Sequence, residues 1–179
     1  MYEHLLVPLD GSPAAERVLE HAEALARAFG STVTLLRATL SAEMMLAQTA
    51  PGDVVGGAQI GATMDPTPLL TVDRQAAVDY LERVAARIRR HDVQVNLDYP
   101  AGPATTAILE RAAALDVGLI LMTTHGRSGL GRMVFGSVAD SVLRHAKCPV
   151  LLVRVTDAQA AELEANADAS LQTQAPPTP

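Results

Sequence analysis

The residues able to do chemistry gather in one stretch of this 179-residue chain, Thr124-His125-Gly126-Arg127-Ser128-Gly129-Leu130-Gly131-Arg132-Met133-Val134-Phe135-Gly136-Ser137. It follows the most apolar run of the sequence, Gly118-Leu119-Ile120-Leu121-Met122. Gly126 and Gly136 let the backbone approach an anion with no Cβ in the way. Ser137 stands where the next helical pattern begins, so free N–H groups and the positive end of a helix dipole would face the loop. Arg127 and Arg132 supply charge. The stretch is not a Walker A loop, because no Gly-Lys-Ser/Thr closes it, and it is not Gly-x-Gly-x-x-Gly. Its parts suit a phosphate group. A plain turn, with Ser137 and Asp140 capping the helix that follows, explains the same spacing equally well.

Other candidates carry a bland reading beside the chemical one. His125 could act as a general base or a phosphate donor, or simply hydrogen-bond backbone as a loop histidine. Asp10 ends the first apolar run; it is either a site carboxylate or the cap of a turn. His4, His21, His91 and His145 are scattered without metal spacing and read as surface or helix-end residues. Cys148 is the single cysteine and cannot form an internal disulfide. Before Pro149 it reads as a half-buried small residue rather than a redox thiol. Arg89-Arg90 are read as complementing a helix dipole. No set of nucleophile, base and orienting group can be assembled, so any turnover of a bound phosphate ligand is expected to be slow.

These residues need elements to position them. Leu5-Leu6-Val7, ended by Pro8, reads as a buried strand. Ser12 offers an N-cap oxygen to a helix with Pro13 in its first position and Val18, Ala22, Leu25 and Phe29 on one face; Gly30 stops it. Val33 to Leu36 is a second strand. Residues 39–72 hold seven Gly and Pro residues, from Pro51 to Pro68, and read as a long loop insertion with a short helix over Ser41 to Gln48. A helix from Asp73 to Arg90 presents Ala77, Leu81, Val84 and Ile88, with Asp79–Arg83 as an exposed pair. Val93, Val95 and Leu97 alternate as a strand. Pro103 starts a helix with Ile108, Ala112 and Leu115 inward, the 118–122 run is a central strand, and a helix from Ser137 leads to a last strand over Pro149 to Val153. Five strands alternating with four helices make an α/β, doubly wound parallel sheet with helices on both faces. In such a sheet the strand ends bring Pro8 to Gly11, Arg37 to Thr39 and Thr123 to Ser137 together.

Composition narrows the function. Apolar residues are 49% of the chain but aromatics only 3%, so the core is aliphatic. The formal charge of −6 argues against nucleic acid as the partner, since phosphate backbones draw on clustered cations. With no basic-then-apolar leader and no long apolar run, no membrane is expected and the cytoplasm is the expected compartment. Residues 156–179 turn to Ala, Gln, Glu, Asp and Pro and read as a polar tail, helical at most near Asp157 to Ala165 and disordered beyond.

Five pieces, Leu-Val-Pro-Leu-Asp-Gly-Ser, Gly102-Pro103, Thr-His-Gly-Arg-Ser-Gly, Gly-Ser-Val-Ala-Asp and Cys-Pro-Val-Leu-Leu-Val, together resemble the universal stress protein family across about residues 2–155. The resemblance implies one domain over 1–155, an adenine nucleotide α-hydrolase-like sheet in the order 3-2-1-4-5, and a homodimer through the last strand, Val150 to Val153. The family's nucleotide-binding branch carries Gly-x-x-Gly, nine residues, then Gly-Ser/Thr. Here Thr123 replaces the first glycine, followed by Gly126, nine residues, Gly136 and Ser137. By that resemblance Pro8, Leu9, Asp10 and Ala38 frame adenine and ribose, and Gly126, Arg127, Gly136, Ser137 and Val138 hold phosphates, with Thr123 and His125 at the same site. ATP with Mg²⁺ is the implied ligand, and Asp10 the residue beside ribose, adenine or metal. Thr123 either crowds the ribose or donates a hydrogen bond to it. The rivals are a nucleotide-free scaffold working through dimerisation and protein partners, and an adenylyl-transferring enzyme, which lacks a recognisable acceptor site.

Overall fold

The computed structural model describes residues 2–48, 65–125 and 136–156, with 158, 159, 161–163 and 165 of the tail. The elements are β1 (His4–Pro8), α1 (Leu19–Phe29), β2 (Thr32–Leu36), α2 (Ala42–Gln48), α3 (Thr67–Arg89), β3 (Val95–Asp98), α4 (Ala104–Ala114), β4 (Leu119–His125), α5 (Ser137–His145) and β5 (Val150–Val155). The five strands form one parallel sheet, as the spacing implies, in the order β3-β2-β1-β4-β5 that the resemblance implies. The chain winds outward from β1 through β2 to β3, then returns to lay β4 on the other side of β1. That reversal opens a crevice at the carboxyl ends of β1 and β4.

Leu5, Leu6 and Val7 of β1 are completely buried because both faces of the sheet are covered. The period-two alternation of a strand divides them. Leu5 and Val7 join Val33, Leu35, Leu119 and Leu121 under α1 and α3, whereas Leu6 joins Leu36, Ile120 and Met122 under α4 and α5. All four residues of the expected α3 stripe, Ala77, Leu81, Val84 and Ile88, are buried. Gly30 ends α1 in the left-handed conformation, φ 64°, and the Ser31 amide reaches back to the Ala26 carbonyl.

Several local expectations are corrected. α3 begins at Thr67 rather than Asp73, so the stretch 39–72 contains α2 and the start of α3, while 49–64 lies outside the described residues. Pro66 and Pro68 do not break α3 because its first turn needs no backbone donors, and the Asp65 carboxylate accepts the Thr67 amide. A 3-10 turn, Ala15–Val18, precedes α1. Val18 and Ala22 of its stripe are buried, but the last turn passes the sheet edge: Phe29 is 53% exposed, edge-on to Tyr2. Asp79 accepts from Gln75 and Arg83 lies over the Tyr80 ring, so the expected Asp79–Arg83 pair does not form. His4 is not a surface residue but a strand residue, half-buried between Thr34 Oγ1 and the Leu115 carbonyl. Among the described residues no helix is long and apolar enough to cross a membrane. The described residues of 158–165 are helical, and the disorder expected further on lies outside the described residues.

Candidate functional site

The crevice is built from four pieces. β1 delivers Pro8, Leu9 and Asp10; β2 delivers Leu36, Arg37 and Ala38; β4 delivers Met122 and Thr123; the start of α5 delivers Gly136 to Ala139. Ser12 and Ala15 after β1, with Ala104 and Ile108 of α4, complete the described wall around a volume of about 660 Å³. Eight of the residues expected at the site meet here: Pro8, Leu9, Asp10, Ala38, Thr123, Gly136, Ser137 and Val138. His125 is the last residue of β4, in register with Val155. Its side chain, and Gly126 and Arg127, lie outside the described residues.

Asp10 does cap a turn. Its Oδ1 accepts the Ser12 amide at 2.8 Å and the Ser12 hydroxyl at 2.7 Å, and Ser12 Oγ accepts the Ala15 amide at 3.1 Å. This chain of bonds holds the β1–α1 connection tight and fixes the carboxylate at the crevice wall. Oδ2 has no hydrogen bond among the described residues, so turn cap and site carboxylate are compatible roles.

The opposite wall differs from the capped helix that spacing alone allowed. Gly136 is the N-cap residue of α5, with φ −53° and ψ 149°, and no side chain caps the helix. Asp140 instead takes Arg144 in a two-bond pair at 2.9 and 3.1 Å, and that hydrogen bonding holds its carboxyl below the usual range. The α5 start therefore presents backbone donors and a positive dipole end with no side chain of the described residues spent on them. Thr123 stands in the wall, paired in register with Val153, without closing the crevice.

Arg37 is the feature that sequence reasoning passed over. Its segment was marked as reaching the strand ends, but spacing gives no sign of whether an arginine has a partner. The guanidinium lies 5.2 Å from the centroid of the Tyr80 ring, and a Cβ built on Gly11, φ +90°, would come within 3.2 Å of its Nη1. Only glycine suits that turn, for both reasons. Tyr80 is 6% exposed, and its hydroxyl is buried without a hydrogen-bond partner. Burial, then the Glu16 and Asp10 carboxylates, push the phenol above its ordinary range, while Arg37 opposes them. Glu16 is near enough to act on the hydroxyl electrostatically, yet no acceptor meets it in hydrogen-bond geometry. On the far side of the sheet end, burial likewise raises the Cys148 thiol, which keeps it protonated and unreactive.

Among the described residues no cluster of three or more His, Cys, Asp or Glu could hold a metal alone. Mg²⁺ bound with a nucleotide needs less, one or two carboxylates beside the ligand's own phosphates. Asp10, the carboxylate of the described wall, fits that requirement through Oδ2.

Comparison with known proteins adds the following. Residues 1–154 match a family model described as the universal stress protein family. The chain is 28% identical over 154 residues to universal stress protein MJ0531 of Methanocaldococcus jannaschii, covering 86% of this chain and 83% of that one. Among solved structures, a universal stress protein in complex with cAMP is similar with TM-score 0.55 and 19% identity, over 86% of this chain and 97% of that chain. A universal stress protein family protein from Arabidopsis thaliana with AMP bound is similar with TM-score 0.58 and 14% identity, over 87% and 94%. At these identities the two structures are alike in fold.

Proposed function

Since the chain belongs to the universal stress protein family, matched over residues 1–154, we propose that it binds ATP with Mg²⁺ in the crevice between the ends of β1 and β4 and acts as a nucleotide-responsive dimeric regulator. One observation carries this reading: the crevice is bounded by Asp10 and Ala38 on one side and by the uncapped start of α5 on the other. That is a wall for a base and ribose opposite a wall for phosphates. Two neighbours of the same fold, with cAMP and with AMP, support an adenine nucleotide as the class of ligand.

In this reading Pro8, Leu9 and Ala38 flank the base, and Asp10 takes the ribose or the metal. Gly136, Ser137 and Val138 give backbone donors to the phosphates, joined by Gly126, Arg127 and His125 from the connection before α5. Mg²⁺ would neutralise phosphate charge beside Asp10. Dimerisation is proposed through β5, a sheet edge whose Val150 to Val153 are half-buried and apolar. A bare apolar edge invites pairing with other chains, and a symmetric second copy covers it. The cytoplasm as compartment, and the absence of nucleic-acid and membrane partners, belong to the same proposal.

Native mass spectrometry of the purified chain should find a co-purified adenine nucleotide, and ATP with Mg²⁺ should raise its Tm. Thr123, standing where the nucleotide-binding branch has glycine, favours one second reading, a nucleotide-free scaffold. Absence of both bound nucleotide and thermal shift would select it.

A further inference from the structure

Arg37 is the cationic side chain of the described crevice wall, and among the described residues it forms no ion pair. Its one side-chain partner is the face of Tyr80, at 5.2 Å; its N–H groups carry no hydrogen bond. A guanidinium keeps its charge at any ordinary pH and offers five donors in a planar fork. Half-buried and held over the Tyr80 ring, it is pre-organised, so an anion that meets it gains strong charge-assisted bonds with little further loss of side-chain freedom. Among the described residues none pairs with it: Asp10, on the same wall, has Oδ1 tied to Ser12 and forms no ion pair with Arg37.

The position of this charge is informative. Arg37 follows β2 and lies beneath the Gly11 turn, at the Asp10 side of the crevice, whereas the α5 start forms another wall. A 5′ phosphate chain held by α5 would leave Arg37 unused. In dinucleotide-binding folds a carboxylate beside the ribose takes its free hydroxyls, and an arginine nearby accommodates a phosphate on one of them. Here both residue types stand on one wall. Resting on the nucleotide reading above, we propose that the crevice selects nucleotides phosphorylated on the ribose 2′ or 3′ oxygen as well as at the 5′ position, Arg37 binding the ribose phosphate. Asp10 then takes the ribose hydroxyl that stays free, and the Tyr80 ring supports the guanidinium from below.

Calorimetry on the full chain tests this with AMP and with three ligands of equal phosphate number: ADP, adenosine 3′,5′-bisphosphate and adenosine 2′,5′-bisphosphate. At least one bisphosphate should bind about tenfold or more tightly than AMP, which shares its single 5′ phosphate, the worth of a charge-assisted pair, and more tightly than ADP as well. The ratio of bisphosphate to AMP affinity, taken within each protein, should collapse toward one in Arg37→Gln and survive in part in Arg37→Lys. Because a ratio cancels general damage to the fold, a weakened variant remains readable. Equal affinity of wild type for all three ligands would overturn the proposal, as would a preference that persists in Arg37→Gln. Binding of ADP without a bisphosphate preference would leave the nucleotide site standing, whereas binding of none of the three would remove both.

Discussion

Replacing Gly136 separates binding from folding. Among the described residues a Cβ built at this position meets nothing within 4 Å, and its φ of −53° and ψ of 149° suit any L-residue. Neither sterics nor backbone strain therefore requires glycine for the protein alone. Gly136→Ala restricts the unfolded chain, a gain of about 0.4–1 kcal/mol. Alanine is also a poorer N-cap than glycine, a loss of some tenths up to about 1 kcal/mol. The two nearly cancel, so Tm should shift by only a few degrees. Binding is another matter. A side chain at the N-cap of α5 stands between a bound phosphate and the amides of the first turn. Losing one charge-assisted hydrogen bond removes about 1.5–3 kcal/mol, roughly 10- to 150-fold in Kd. Gly136→Leu should lose more, to the limit of detection. Calorimetry with ATP and Mg²⁺, run beside thermal denaturation, reads both quantities. A Gly136→Leu protein with wild-type Tm and wild-type affinity would refute the placement of phosphates at α5.

Tyr80→Phe deletes a hydroxyl that has no partner, so stability near pH 7 should hold within about 1 kcal/mol or rise. Burial raises the Tyr80 phenol from its ordinary value of 10.0, so above that pH the unfolded chain loses the proton first and the native state loses stability. Denaturant melts across this alkaline range should show the loss in wild type and a smaller one in Tyr80→Phe; parallel curves would mean Tyr80 is not titrating as described. Leu81→Ala empties a fully buried site under α3 and should lower stability by about 2–5 kcal/mol in urea denaturation, with a change under 1 kcal/mol contradicting the packing. Leu151→Lys places a charge on the β5 edge and should shift light-scattering mass from dimer to monomer; an unchanged dimer would put the interface elsewhere.

The sheet was legible because a parallel strand covered on both faces must be apolar at successive positions. Leu5-Leu6-Val7 and Leu119 to Met122 leave no other way to be buried, and their alternation feeds both cores. Helix α1 announced its end through Gly30 for an equally local reason. The start of α3 was hidden because Pro66 and Pro68 signal a break only where backbone donors are needed, and Asp65 supplies the first-turn acceptor. Pairings were less legible than elements. Asp79 and Arg83 have the right spacing for each other, but Gln75 and the Tyr80 ring reach them instead. The site followed the same division. Segments that converge could be read from strand order, whereas an unpaired Arg37 depends on what Tyr80, some forty residues later in sequence, leaves uncovered.

Thr123 brings that division to its sharpest point. As a residue of β4 paired with Val153 it suits a strand, where a β-branched side chain is favoured and glycine is not. Its side chain is half-buried on the crevice wall, and its hydroxyl has no hydrogen bond among the described residues. An open crevice beside an unengaged hydroxyl favours donation to a ligand over crowding of it. Thr123→Val keeps the shape and removes the donor, so stability should hold while ATP affinity falls by about 2- to 10-fold, the worth of a neutral hydrogen bond. Thr123→Gly removes the same donor and loosens the strand, so it should bind no better than Thr123→Val and melt earlier. Should Thr123→Gly instead bind ATP more tightly than wild type, the threonine is an obstruction, and this crevice is a nucleotide site in decline.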